Sequence, residues 1–272
     1  MRDTCICGAA QTTFIPFLTF NHTPFPAYKG VIISKCKKCG VLKTTQRSNN
    51  FDPAQSRDEM YEENVADFNQ LFLPFLAKLK RYLPNHARVL DVGCSSGILL
   101  GLLDKAGFDV RGLEPNKHAF QVAHKKFGKK VMNATLQEYI KNNKGKRFDA
   151  VIYNHVLEHI EDPMKELGLA HSMLSKDGIL FIGVPNRRNV IFHLRKEYWE
   201  SLMPVEHIWH FSDHDIESLL QKAGFARLES WYDNHVRADY PPLKKLYFSL
   251  LCFINEIFTT GEAVTIIARK TS

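Results

Sequence analysis

The sequence predicts an α/β fold built on a Rossmann-like, doubly wound parallel sheet. Three observations carry that expectation. From Arg88 onward, short apolar runs alternate with segments of helical periodicity, the pattern of parallel strands joined by right-handed crossovers. The run Val89-Leu90-Asp91-Val92 ends beside an acid and opens into the glycine-bounded turn Gly93-Cys94-Ser95-Ser96-Gly97, followed by Ile98-Leu99-Leu100 at helical spacing. About twenty residues on, a second apolar strand closes on a carboxylate, Glu114, followed by Pro115. In open α/β sheets, ligands sit in the crevice at such carboxyl ends of strands.

Strands are predicted over 88–92, 109–114, 129–132, 148–153 and 179–184, with helices over 97–106, 116–127, 135–142 and 161–174 between them. Asp162-Pro163 opens the fourth of these helices, with proline in its first turn. Ser175-Lys176-Asp177-Gly178 reads as a turn into the fifth strand. Ser212 and Asp215 form a capping-box pattern for a helix over 213–223, and Gly224 ends it. A sixth strand is expected over 225–231 and a seventh over 263–269. Upstream, Phe68, Leu71, Phe72, Phe75, Leu76 and Leu79 give residues 56–83 a helical pattern, which Pro74 kinks or splits. Residues 241–258 form a helical insertion between the last two strands.

The chain has 272 residues, enough for one large domain and a small appendage. We divide it at residue 50, into an N-terminal segment 1–50 and a main domain 51–272. No run of eighteen apolar residues occurs, so no transmembrane span is expected, and the N-terminus shows no apolar signal segment. The expected location is cytoplasmic, where thiols stay reduced. The net charge of +7 is concentrated around Lys125–Lys130 and Lys141–Arg147, read as solvated faces. Aromatic residues do not interleave with these lysines, which argues against an RNA-stacking surface.

Residues 1–50 hold four of the six cysteines. Cys5 and Cys7 form a C-x-C pair, and Cys36 and Cys39 a C-x-x-C pair about thirty residues later; two such knuckles supply four thiolates to one tetrahedral structural zinc. The alternative is four free thiols in a loop-rich arm. A closed four-cysteine site has no open coordination position and is assigned no catalysis.

The loop spacing G-x-x-x-G is neither a dinucleotide fingerprint nor a Walker loop. It resembles the first motif of the class I S-adenosylmethionine-dependent methyltransferases, V-L-D-x-G-C-G-x-G, with a serine where that pattern has its second glycine. Phe148-Asp149-Ala150-Val151-Ile152-Tyr153-Asn154-His155-Val156-Leu157-Glu158-His159 and Glu206-His207-Ile208-Trp209-His210-Phe211-Ser212 resemble segments of the ubiquinone-biosynthesis O-methyltransferase-like group. Several methyltransferases of sugars and secondary metabolites carry a similar N-terminal zinc-binding segment. The resemblance implies seven strands with the last antiparallel, and S-adenosylmethionine as cofactor. Asp91 would lie near its amino group, and Gly93, Cys94 and Gly97 under its methionine end. Glu114 and Pro115 would meet the ribose, the backbone of Thr135 and Leu136 the adenine edge, and Asn154 the cofactor–acceptor junction. The N-terminal helices of such folds cover the cofactor, making Tyr61 a candidate lid residue.

The implied reaction is methyl transfer to a small molecule, a hydroxyl of a sugar, nucleotide-sugar or secondary metabolite. A histidine near neutral pKa suits removal of a hydroxyl proton, and His155 or His207 is the expected base, with His159 in the same cluster. In ubiquinone O-methyltransferases a Glu-x-x-Glu-His set holds a metal; here His155 replaces the first Glu, while Glu158 and His159 match. No N-P-P-Y or D-P-P-Y tetrad is present, which weakens a nucleic-acid amino-group reading. Two rival readings stand: an RNA methyltransferase using the zinc knuckle and basic charge, and a non-catalytic scaffold. The helix at 241–258 is expected to pack over the acceptor mouth or across a homodimer; its basic start also permits peripheral contact with a membrane surface.

Overall fold

The computed structural model describes residues 4–10, 13–21, 23, 25–48, 65–234, 236 and 240–271, with the side chains of 65–71 outside that set. Tyr61 and the first turns of the expected lid therefore lie outside the described residues. The main sheet is formed by β4 (Arg88–Val92), β5 (Asp109–Leu113), β6 (Val131–Met132), β7 (Phe148–Asn154), β8 (Leu174–Pro185), β10 (Phe225–Asp233) and β11 (Ala263–Lys270). Its order is β10-β11-β8-β7-β4-β5-β6, and β11 runs antiparallel to both its neighbours. Strand alternation divides the core by period 2. Val89, Ala150, Ile152, Phe181 and Ile267 pack on one face, and Leu90, Val151, Tyr153, Leu180 and Ile266 on the other.

Helices α2 (Ile98–Lys105), α3 (Lys117–Phe127), α4 (Leu136–Asn142), α5 (Pro163–Met173) and α7 (Asp213–Lys222) begin where the sequence places them. Asn116 caps α3 through the His118 and Ala119 amides, Asp162 caps α5, and Ser212 with Asp215 closes a capping box on α7. The turn at Ser175–Gly178 is a distortion at the start of β8: the register jumps between Phe148 and Ala150, and Asp177 takes φ 60°. Pro74 does not split its helix: α1 runs unbroken over Val65–Tyr82. Phe75 of α1 lies on Phe181 with ring centroids 3.8 Å apart, and Lys78, Arg81 and Tyr82 all bond Glu229 of β10.

The N-terminal segment is not a loose arm. It folds into antiparallel strands β1 (Phe14–Thr19), β2 (Ile32–Cys36) and β3 (Leu42–Gln46), and β3 takes a fourth strand, β9 (Trp209–His210), from the main domain. The sequence division at residue 50 thus runs through a shared sheet. Trp209 is fully buried, stacks near Phe211 and donates its indole N–H to the Ile160 carbonyl (3.1 Å).

A third apolar cluster joins this sheet to the segment after β8. Phe20, Val31, Ile33 and Leu42 pack with Phe192 of α6 (Val190–Arg195), with Trp199 and Leu202, and with Phe248 and Leu251 of α8 (Pro242–Ile257). The segment between 185 and 210 thus gives part of its aromatic content to the core. Buried amides fix α8: Asn255 accepts from the Val190 amide (2.8 Å) and donates to Asn234, while Asn186 donates to Thr260 and Gly261. Among the described residues no helix is long and apolar enough to cross a membrane.

Candidate active site

The parallel register sets the site. β4 lies between β5 and β7, so Asp91 pairs with Gly112 on one side and Ile152 on the other. The tips of the three strands then deliver the Gly93–Gly97 loop, Glu114 and Asn154-His155 to one edge of the sheet. Gly93 has φ 72° and Gly97 φ 83°; an added Cβ would approach Val156 Cγ2 and Phe127 Cε2 to 2.6 Å respectively. Both positions are therefore closed to a side chain by backbone conformation and by contact. Ser95, in place of the motif glycine, also takes a positive φ, 47°.

Asp91 is buried, and its Oδ2 accepts no hydrogen bond. Burial, and then the charge of Glu114, push its carboxyl up to about 7. Glu114 is buried as well and accepts the Ser95 amide at 2.8 Å and the Asn116 amide at 2.7 Å. It ties the first loop to the second strand tip, while Asn133 holds the Glu114 and Pro115 carbonyls from the third. Cys94 turns its thiol into the core against Gly112, and burial raises its pKa, so any ligand contact there is through backbone. Thr135 and Leu136 open α4: Thr135 exchanges capping bonds with Glu138, and the Leu136 side chain is core. This helix cap accounts for Thr135 without a ligand.

The β7 end is the second half of the site. Gly183 of β8 leaves room for Asn154: a Cβ there would lie 2.9 Å from Asn154 Oδ1. His155 has φ 55°, a conformation that costs a non-glycine residue, and its amide donates to the Gly183 carbonyl (2.8 Å). Its side chain is 42% exposed. Below it, Glu158 is 1% exposed, and neither carboxylate oxygen accepts a hydrogen bond. His155 Nδ1 stands 3.5 Å and His207 Nε2 3.9 Å from Glu158 Oε1. Burial raises the Glu158 carboxyl, but the approach of His155 and the charges of His159 and His155 outweigh it and hold it low.

The geometry changes the metal set expected from sequence. Glu158, His159 and His207, not His155, place one ligand atom each within 4.8 Å of one another. His159 Nδ1 lies 3.3 Å from the Glu206 carbonyl; donating there leaves Nε2 with its lone pair, the second-shell pattern of metal-binding histidines. Sequence reading missed that His207 joins this group, although it marked the residue. The link is tertiary: the Ile208 amide donates to the Glu158 carbonyl (2.9 Å) and Thr44 bonds His210 (2.9 Å). His210 is buried, and burial and Arg187 lower its pKa to about 3, so it is a neutral structural imidazole.

The four N-terminal cysteines lie together. The sulfurs of Cys5, Cys7, Cys36 and Cys39 lie within 4.8 Å of one another, with Cys5–Cys39 at 3.5 Å and Cys7–Cys36 at 3.9 Å. A tetrahedral zinc with bonds of ~2.3 Å sets its sulfurs about 3.8 Å apart. Burial raises Cys36, but the amides of Cys39 and Lys38 outweigh it and lower its pKa to about 6.

A seven-stranded sheet in this order, with a glycine loop beside an acid at the second strand tip, defines the Rossmann-like methyltransferase architecture. Residues 61–230 match the family described as a methyltransferase domain, and the chain belongs to that family. It is 27% identical over 157 residues to the ubiquinone biosynthesis O-methyltransferase of Actinobacillus pleuropneumoniae serotype 7, covering 54% of this chain and 63% of that protein. The counterpart from Alkalilimnicola ehrlichii is 30% identical over 211 residues, covering 72% of this chain and 83% of its own. The chain thus spans less than two thirds of the Actinobacillus relative and about half of the human one, of which it covers 49%. Among solved structures, a SAM-dependent methyltransferase from Archaeoglobus fulgidus shares the fold with a TM-score of 0.57 at 20% identity, over 78% of this chain and 99% of that one.

The glycine geometry gives a stability test. Gly93→Ala is expected to destabilise by about 1–3 kcal/mol from backbone strain, with a further loss from the Val156 contact. Gly93→Ala/Val156→Ala should recover the contact loss but not the backbone loss in urea unfolding. A neutral Gly93→Ala would contradict the assigned conformation.

Proposed function

We propose that the protein transfers a methyl group from S-adenosylmethionine to a hydroxyl of a small molecule: a sugar, nucleotide-sugar or secondary metabolite. The carrying observation is Asp91, a buried carboxylate with an oxygen that accepts no hydrogen bond, beside a glycine loop closed to side chains. A buried acid in that state suits a cationic amino group. The bound cofactor supplies a methyl group already activated by its positive sulfur. In this reading Asp91 holds the amino group, Glu114 accepts from the ribose hydroxyls and the loop backbone lines the methionine end. Pro115, Asn154 and the start of α4 border the cofactor.

What remains for the protein is alignment and proton removal. We assign the base to His155, because it is exposed at the strand tip while His207 is buried. Its Nδ1 faces Glu158, which leaves Nε2 to accept the hydroxyl proton, and the Glu158 carboxylate stabilises the resulting cation. Glu158, His159 and His207 also offer two imidazoles and a carboxylate, a set suited to zinc, iron(II) or manganese more than to magnesium. The four cysteines hold a structural zinc as thiolates in this reading, which suits a reducing compartment such as the cytoplasm.

Calorimetry with S-adenosylmethionine tests the cofactor site. With Asp91 at about 7 in the ligand-free protein, lowering the pH through 7 protonates it, and affinity should fall by up to about tenfold per unit below that point. Asp91→Asn should bind weakly and lose that dependence. No heat with the cofactor would remove the proposal. For the base, His155→Ala should lower kcat by roughly 10²–10⁴-fold with cofactor affinity retained. Normal turnover in both His155→Ala and His207→Ala would refute a histidine base. Metal analysis should find one tightly held zinc, lost in Cys36→Ser and retained in His207→Ala; a metal-free chain with its N-terminal sheet intact would refute the zinc site.

A further inference from the structure

Helix α8 is apolar on two opposite faces. One face, with Phe248, Leu251, Cys252 and Asn255, is buried in the third core cluster and the amide network. The opposite face carries Leu243, Leu246, Leu250, Phe253 and Ile257, which are 55–83% exposed. Their spacing alternates three and four residues throughout, the a/d repeat of a helix seam, over a helix about 24 Å long. With exposed Tyr247 and Phe258, these side chains present on the order of 800 Å² of apolar surface, above the largest patch of a typical monomer and comparable to one partner's share of a stable interface.

We propose that this seam pairs α8 with α8 of a second copy of the chain, about a two-fold axis near Leu250. An isologous contact needs a self-complementary patch, and the stripe is one: about that axis Leu243 and Leu246 of one copy meet Phe253 and Ile257 of the other. The charge pattern selects a helix over an anionic lipid surface. The positions flanking the seam are Tyr247, Ser249, Ile254 and Glu256, without a cation. Lys244 is turned the other way, paired with Glu200 and lying 3.8 Å over the Tyr240 ring. A lipid-binding helix instead borders its apolar face with Lys and Arg. The pairing is independent of the methyl-transfer reading.

Sedimentation equilibrium of the full chain over the micromolar range tests it. The expected mass is twice the 31.3-kDa chain mass. Leu250→Glu and Leu250→Lys, both at an exposed position, should each sediment as a monomer with an unchanged circular dichroism spectrum. Mixing the two should restore the dimer, because opposite charges then meet near the axis. A monomeric wild-type chain overturns the proposal, as does a dimer that survives both substitutions or a mixture that stays monomeric. Co-sedimentation of the monomer with phosphatidylglycerol–phosphatidylcholine vesicles, lost in Leu250→Glu, would assign the seam to lipid and overturn it too.

Discussion

Asp91 and Glu158 are carboxylates withdrawn from water with oxygens that accept no hydrogen bond, and much of the structure serves to hold them there. An unpaired buried charge costs several kcal/mol unless its pKa shifts or a partner arrives. The two acids answer this differently. Beside Asp91 stands another acid, Glu114, and burial together with that charge pushes its carboxyl up to about 7. Glu158 is ringed by His155, His159 and His207 and stays ionised despite its burial. One carboxylate thus has an acid as its charged neighbour, while the other stands among three imidazoles.

Holding Glu158 in place depends on a segment far away in sequence. The Ile208 amide bonds its carbonyl, and the next two residues pair with β3 in the N-terminal sheet. Cys36 ends β2 and Cys39 lies just before β3, so the cysteine cluster sits at the root of the strand that positions β9 and hence His207. The cluster's link to the histidines is positional, through this sheet. A chain of hydrogen bonds and packed side chains thus joins the cysteine knuckle to the histidine cluster.

The main sheet was legible because its signals are local. Val89–Val92, Asp109–Leu113 and Phe148–Asn154 are short apolar runs, and caps at Asn116, Asp162 and Ser212 lie within three residues of the amides they bind. The N-terminal sheet was not legible. Its strands are five or six residues long, Pro16 interrupts the first, and the fourth is a two-residue strand some 160 residues away that no periodicity announces. His207 was marked by its motif, but its partnership with Glu158 and His159 depends on that same long-range pairing. The burial of Trp199 and Phe192 was hidden for a related reason: aromatic content does not say which surface a segment will bury.

The strained backbone at His155 belongs to the same logic. A β-strand that simply continued past Asn154 would carry the imidazole along the sheet and away from Glu158. The turn to φ 55°, held by the Gly183 carbonyl, keeps the side chain exposed at the strand tip with Nδ1 near the buried acid. Such conformations cost of order 1–3 kcal/mol and persist only where surrounding structure enforces them. Here β8 enforces it from one side, where only a glycine leaves space for Asn154, and the short helical turn at Leu157–His159 from the other. A packing role alone would place no such demand on the residue, since an exposed histidine buries little; orientation of one ring nitrogen relative to a carboxylate would.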